Sequence, residues 1–135
     1  MISALIENKE NALILDFPYS IYDVRDQLRC IGIFVRPDQV FLTDNEEDDI
    51  RVKLYAESDI GNHLIRILNE RNSLKDANTA AYAVTMANDY IKEDLEQQII
   101  HDQYETVEEL YADIRKMTHD AGTVGENSPI VGNSL

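Results

Sequence analysis

The chain has 135 residues, 44% of them hydrophobic, enough to bury the core of one domain or of two small packed lobes. Its 26 acids stand against 12 Lys and Arg, a net charge of −14 with His neutral. That balance argues strongly against direct binding to nucleic acid, disfavours an anionic membrane surface, and favours a basic partner such as the DNA-binding groove of another protein.

Cys30 is the single cysteine, so no internal disulfide is available, which fits a reducing cytosol. The opening residues lack a basic stretch followed by a long apolar core, and no apolar run approaches the ~20 residues that span a bilayer. A cytoplasmic protein is expected.

Ile2 to Ile6 and Ala12 to Phe17 are short apolar runs separated by polar residues, the pattern of two antiparallel strands and a turn. Pro18 ends the second run. Ser20 is placed to cap a helix over 21–30, with Asp23 in its first turn where the helix dipole favours a negative charge. Ile21, Val24, Leu28 and Ile31 form its apolar stripe, and Gly32 is the stop signal. Cys30 lies beside this stripe and reads as a buried, inert thiol. Ile33 to Val35 and Val40 to Thr43 flank the turn-forming Arg36-Pro37-Asp38-Gln39 and read as two further strands.

Asp44 to Asp49 follows, five acids and Asn45. In the next run Ile50, Val52, Leu54 and Ala56 alternate with Arg51, Lys53 and Tyr55, a strand with one apolar face. Ser58-Asp59 is a helix start, and Ile60, Leu64, Ile67 and Leu68 mark a helix ending near Asn69-Glu70. Asp76 or Asn78 is expected to cap the next helix, whose alanines allow close approach. Asn88-Asp89 separates it from another over 89–101. Thr106 and Glu109 have capping-box spacing. Val107, Leu110, Tyr111, Ile114 and Met117 then give the clearest amphipathic helix in the chain. Residues 121–135 hold three Gly and Pro129 and read as a frayed tail, or one that orders on a partner.

The elements predict an α+β fold: a small antiparallel or mixed β-sheet with one helix, followed by an acidic helical lobe. The expected units are a β-rich part over 1–57, a helical acidic part over 58–118 and a flexible tail over 119–135.

No catalytic residue, metal or cofactor is expected. The acidic run fails as a calcium loop, because its sixth and twelfth positions are Asp49 and Tyr55 where an EF-hand needs Gly and Glu. His63, His101 and His119 are scattered and show no zinc-ligand spacing. There is no phosphate loop, nucleophile elbow or recognisable triad. Gly61 sits in a helix pattern and reads as a close-packing glycine.

The charge is segregated. Residues 38–59 hold eight acids against Arg51 and Lys53, a net of −6. Residues 89–126 hold eleven acids against Lys92, Arg115 and Lys116, a net of −8, so the rest of the chain is neutral. Asp89, Glu93 and Glu96 share one helical face; Glu105, Glu109 and Asp113 recur at spacings of four. That spacing is about 6 Å along a helix, while one DNA strand places phosphates about 3.4 Å apart. Two adjacent ridges therefore approach the charge density of a duplex. The ordinary alternative is a solvated acidic face. The candidate partner-binding residues are Asp44, Glu46, Glu47, Asp48, Asp49, Glu57, Asp59, Glu93, Glu96, Glu105, Glu108, Glu109 and Asp113.

Leu15-Asp16-Phe17-Pro18, the helix from Ile21 to Leu28, and Ile31-Gly32-Ile33 resemble the N-terminal signature of the ArdA antirestriction family. Tyr55 to Leu64, with the acidic loop upstream, and Thr106 to Leu110 resemble the family's helical middle region. The resemblance implies a non-enzymatic protein of a plasmid, transposon or phage that imitates bent duplex DNA. Its target would be the DNA groove of a type I restriction–modification enzyme. The family's C-terminal dimerisation region has no full counterpart here, so dimerisation stays open. The alternatives are another DNA-handling target, such as a CRISPR effector, and an interaction module that uses an apolar patch around Tyr104, Tyr111 and Ile130-Val131.

Overall fold

The computed structural model describes residues 1–127. The fold is α+β: one three-stranded antiparallel sheet and five α-helices. Strands β1 (Ile2–Asn8) and β2 (Asn11–Phe17) form a hairpin. Only Lys9 and Glu10 make its turn, because the strands run further than their apolar cores. Lys9 takes φ +58°, the left-handed conformation that a two-residue hairpin loop favours. Strand β3 (Ile50–Tyr55) joins the other side of β1, giving the order β2-β1-β3.

Helix α1 (Ile21–Cys30) closes as its sequence predicts. Gly32, at φ +84°, donates its N–H to Arg29 O at 3.0 Å, and the Ile33 N–H reaches Leu28 O at 2.9 Å. This Schellman pair needs a left-handed residue at its centre, hence Gly. Cys30, the last residue of the helix, is exposed, which corrects the expectation of a buried thiol. It sits one step off the Val24–Leu28 line that faces the core.

Two of the expected strands do not form. Ile33, Pro37 and Val40 are buried, but Phe34, Val35 and Phe41 point outward. Pro37 opens a short 3-10 turn over Pro37–Gln39 instead. The backbone beyond it pairs with the start of α3: the Leu74 N–H donates to Val40 O at 2.8 Å and the Leu42 N–H to Asn72 O at 2.9 Å. These groups satisfy their hydrogen bonds against a helix start rather than against the sheet.

Four helices complete the fold: α2 (Asp59–Arg66), α3 (Leu74–Thr85), α4 (Asp89–Ile100) and α5 (Val107–Asn127). Ser58 caps α2 by accepting the Gly61 N–H, and Asn88 caps α4 by accepting the Tyr90 N–H. Helix α3 starts earlier than expected. Ser73 is its cap, and Asp76, three residues on, accepts the Ser73 N–H at 2.8 Å while Ser73 Oγ accepts from the Asp76 N–H. Asp76 therefore closes a capping box from inside the helix, and Asn78 lies within it. At α5, Thr106 Oγ1 accepts from the Glu109 N–H, while the Glu109 carboxylate accepts from the Glu105 N–H. The helix continues to Asn127, through the first residues of the expected tail; residues 128–135 lie outside the described residues.

Two cores meet at the sheet. In one, Ala4, Ile6, Leu15, Phe17 and Val52 pack on Val24 and Leu28 of α1 and on Leu74, Ala77 and Ala81 of α3. Two helices, not one, thus cover the sheet, and the alanines of α3 let it lie close. The other core gathers Leu64, Ala80, Val84, Leu95, Ile99, Val107 and Leu110 with Ile2 from β1. Leu54 and Leu68 touch both cores. Hydrophobic burial on this scale, at roughly 25 cal/mol per Å² of apolar surface, is the main stabilising term.

Candidate functional site

The thirteen singled-out carboxylates fall into three groups on this scaffold. Asp44, Glu46, Glu47, Asp48 and Asp49 form the loop leading into β3, and all five are exposed. The loop is pinned along its length. Asn45 Oδ1 accepts the Glu47 N–H at 3.0 Å, and Asn45 O accepts the Asp48 N–H at 3.0 Å. Thr43 Oγ1 donates to Asp48 Oδ2 at 3.2 Å. At its far end the Lys9 N–H of the hairpin turn donates to Asp49 O at 3.3 Å. Lys9 and Arg51 share a shallow recess of about 380 Å³ with Glu46, Asp48 and Asp49. Two cations therefore flank one side of the loop.

Glu57 and Asp59 bracket Ser58 at the start of α2, both exposed. Asp59 lies in the first turn, where it also complements the helix dipole.

The third group spans α4 and α5. Glu93 is exposed and Glu96 half-buried on α4. Glu108 and Glu109 are exposed on the first turn of α5. Glu105 precedes the helix, so the spacing of four that linked it to Glu109 and Asp113 is not a helical ridge at its first member. The Glu109 carboxylate turns back to the Glu105 N–H, and the half-buried Asp113 accepts a hydrogen bond from the Tyr104 hydroxyl. Those two carboxylates have local structural partners; of the other eleven, only Asp48 accepts such a bond among the described residues.

Ion pairs within the described residues use Glu7, Asp26, Asp38 and Asp102, and none of the thirteen. The charge of the loop and helix groups is thus left for solvent or a partner. Among the described residues no three His, Cys, Asp or Glu side chains converge as a metal site. No helix among them is long and apolar enough to cross a membrane.

Asp102 escaped the sequence reading. It occupies the left-handed position ending α4, at φ +53°, where Gly is usual and Asp is tolerated. Its carboxylate meets His63 Nδ1 at 2.8 Å and Arg66 Nη1 at 3.0 Å, both from α2. The hydrogen bond with His63 is the largest influence and outweighs the opposing effect of burial; the charges of His63 and Arg66 add to it, so the Asp102 carboxyl is held below its ordinary value. The sequence signal was an acid where a helix C-terminus calls for Gly or Asn. Its partners lie 36 and 39 residues away, beyond any local pattern.

Tyr104 is buried and Tyr111 half-buried, so neither contributes to an exposed apolar patch; Ile130 and Val131 lie outside the described residues. No protein-family model, curated protein or solved structure matches the chain.

Proposed function

We propose that the protein is a non-enzymatic, cytoplasmic inhibitor that imitates duplex DNA. Its partner is the basic DNA-binding groove of a type I restriction–modification enzyme, as the resemblance to the ArdA antirestriction family implies. The observation that carries the reading is the loop at 44–49. It displays five exposed carboxylates on an anchored backbone, and none of them is neutralised in an ion pair among the described residues. Carboxylates so placed stand in for phosphates and meet Arg and Lys side chains that normally grip DNA. Each exposed pair is worth only about 0–1 kcal/mol, so the effect is collective.

The test is competition. The protein is mixed with a type I restriction–modification complex and labelled duplex, and release of the duplex is followed across a salt series. Release that weakens as salt rises, and disappears when Asp44, Glu46, Glu47, Asp48 and Asp49 are all replaced by Lys, is the expected result. Release that is indifferent to salt, or that survives the replacement, removes the mimicry. Absence of release at low salt removes this target. The same assay with a CRISPR effector or another DNA-handling enzyme then separates a different target from a binding module that does not compete with DNA.

A further inference from the structure

The sheet is edged by β3, whose outer side takes a bond to Thr43, and by β2, and the register shows which backbone groups line the β2 edge. The Val52 N–H of β3 points away from β1, because it donates to Thr43 O at 2.8 Å. Alternation then turns Arg51, Lys53 and Tyr55 toward β1. In β1 their partners Glu7, Leu5 and Ser3 bond β3, which leaves Ile2, Ala4, Ile6 and Asn8 to bond β2. Phe17, Leu15, Leu13 and Asn11 are spent on those bonds. The N–H and C=O groups of Ala12, Ile14 and Asp16 therefore face outward, and no described residue pairs with them.

The side chains of these three residues lie on the solvent face of the sheet and are exposed. Ile14, the middle one, is a β-branched apolar residue at 58% exposure. Open edges are normally blunted with Lys, Pro or a bulge. This edge has none of them between Asn11 and Phe17.

We infer that β2 is a homodimerisation edge that pairs antiparallel with β2 of a second copy, centred on Ile14. The sequence is self-complementary in that register. Ile14 faces Ile14 of the other copy as a hydrogen-bonded pair with the two side chains on one face, and Ala12 faces Asp16 on either side. No like charges are opposed, because the Asp16 carboxylate meets Ala12 and is already held by the Ser3 hydroxyl. The charge distribution permits this edge. Two copies at −14 each repel, but between Asn11 and Phe17 the only charge is that of Asp16, and both segments of excess acid lie elsewhere in the chain. The result is a continuous sheet across a two-fold axis, with the acidic loops of both copies left uncovered. This inference stands independently of the inhibitor reading.

The salt dependence is opposite in sign to that of groove binding. Salt screens the repulsion between two acidic copies, so dimerisation strengthens as salt rises. The experiment is sedimentation equilibrium of the whole chain over concentration at low and high salt, for the wild type, Ile14→Pro and Ile14→Lys. Proline at position 14 removes an outward N–H and leaves the β1 ladder its bonds. Lysine keeps every backbone group and sets two charges face to face, so it serves if the proline variant fails to fold. Far-ultraviolet circular dichroism checks that each variant is folded. The expected result is a wild-type dimer that tightens with salt, with at least about a tenfold weaker association in folded variants, the scale of a like-charge clash. Amide exchange at Ala12, Ile14 and Asp16 slows as the wild type is concentrated. A wild type still monomeric at about 1 mM in high salt, the weak limit of specific association, overturns the inference. So does a dimer that persists unchanged in a folded Ile14 variant.

Discussion

Asn78 of α3 and Tyr19, just ahead of α1, are joined by two hydrogen bonds running in opposite directions. Asn78 Nδ2 donates to Tyr19 O at 2.7 Å, and the Tyr19 N–H donates to Asn78 Oδ1 at 2.8 Å. Asn78 is 3% exposed, so it presents its whole amide to one backbone unit 59 residues away. The pair fixes how α1 leaves the sheet relative to α3. Asn78→Ala removes both bonds and strands two backbone groups. An expected loss of about 2–3 kcal/mol follows from the desolvation of unpaired groups. Urea unfolding with an unchanged slope measures it.

Gly61 sits in the third position of α2, where the chain start crosses the helix. A Cβ there would lie 2.4 Å from Met1 O and 2.6 Å from Ala56 Cβ. Helix propensity alone favours Gly61→Ala by about 1 kcal/mol. Overpacking against backbone costs about 1–3 kcal/mol, so the clash wins. Thermal melts should place Gly61→Ala below the wild type, and a higher melting temperature would show that Met1 moves aside freely.

The Asp102 carboxyl has its folded pKa below the ordinary value of 3.8, chiefly through His63. Its contribution to stability is therefore present above that value and lost as pH falls through the folded one. Asp102→Asn keeps a side chain tolerant of the left-handed backbone but cannot ionise. The variant should be less stable than the wild type at neutral pH, and the two should converge in acid below pH 3.8. A gap that stays constant into acid would assign the loss to geometry instead of charge. Denaturant midpoints across pH decide it.

Two phenols carry the alkaline side. Burial, then the charges of Asp76 and Glu108, push Tyr111 up to about 12. Burial and the bond to Asp113 push Tyr104 higher still. Both values exceed the ordinary 10.0, so their stabilisation is complete below pH 10 and lost as pH rises toward the folded values. Tyr104→Phe keeps the buried ring and removes the ionisable group. It should cost about 0.5–1.5 kcal/mol at neutral pH for the hydrogen bond. Its stability should also decline less above pH 10 than that of the wild type. An identical decline would place the alkaline sensitivity in other groups. Absorbance of phenolate against pH gives the titration directly.

The fold was legible where local chemistry and burial agreed. Pro18, Gly32, Ser58, Asn88 and Thr106 mark the element boundaries found, and the strand at 50–55 keeps its alternation. The segment 33–43 misled because apolar residues in a strand-like run do not say where their backbone bonds go. Those of Val40 and Leu42 went to the residues opening α3, while Thr43 O took the Val52 N–H of β3. Asp76 alone does not locate the cap of α3, because it can end or begin a motif, and only Ser73 three residues earlier decides between them. For the acidic groups, composition located the loop and its exposure. It could not show that Asp113 is engaged by Tyr104, which depends on chain reversal between α4 and α5; that Glu105 falls outside α5 follows already from Thr106 as the cap.

The turn residue Lys9 reaches across to Asp49, and Thr43 holds Asp48 from the other end of the loop. A partner that docks on five acids joined by free chain must freeze them one by one, at roughly 1–2 kcal/mol per residue for the backbone alone. Here that entropy is surrendered during folding. In the proposed complex the hairpin tip thus lowers the ordering cost of the loop, so that more of the electrostatic attraction survives as affinity.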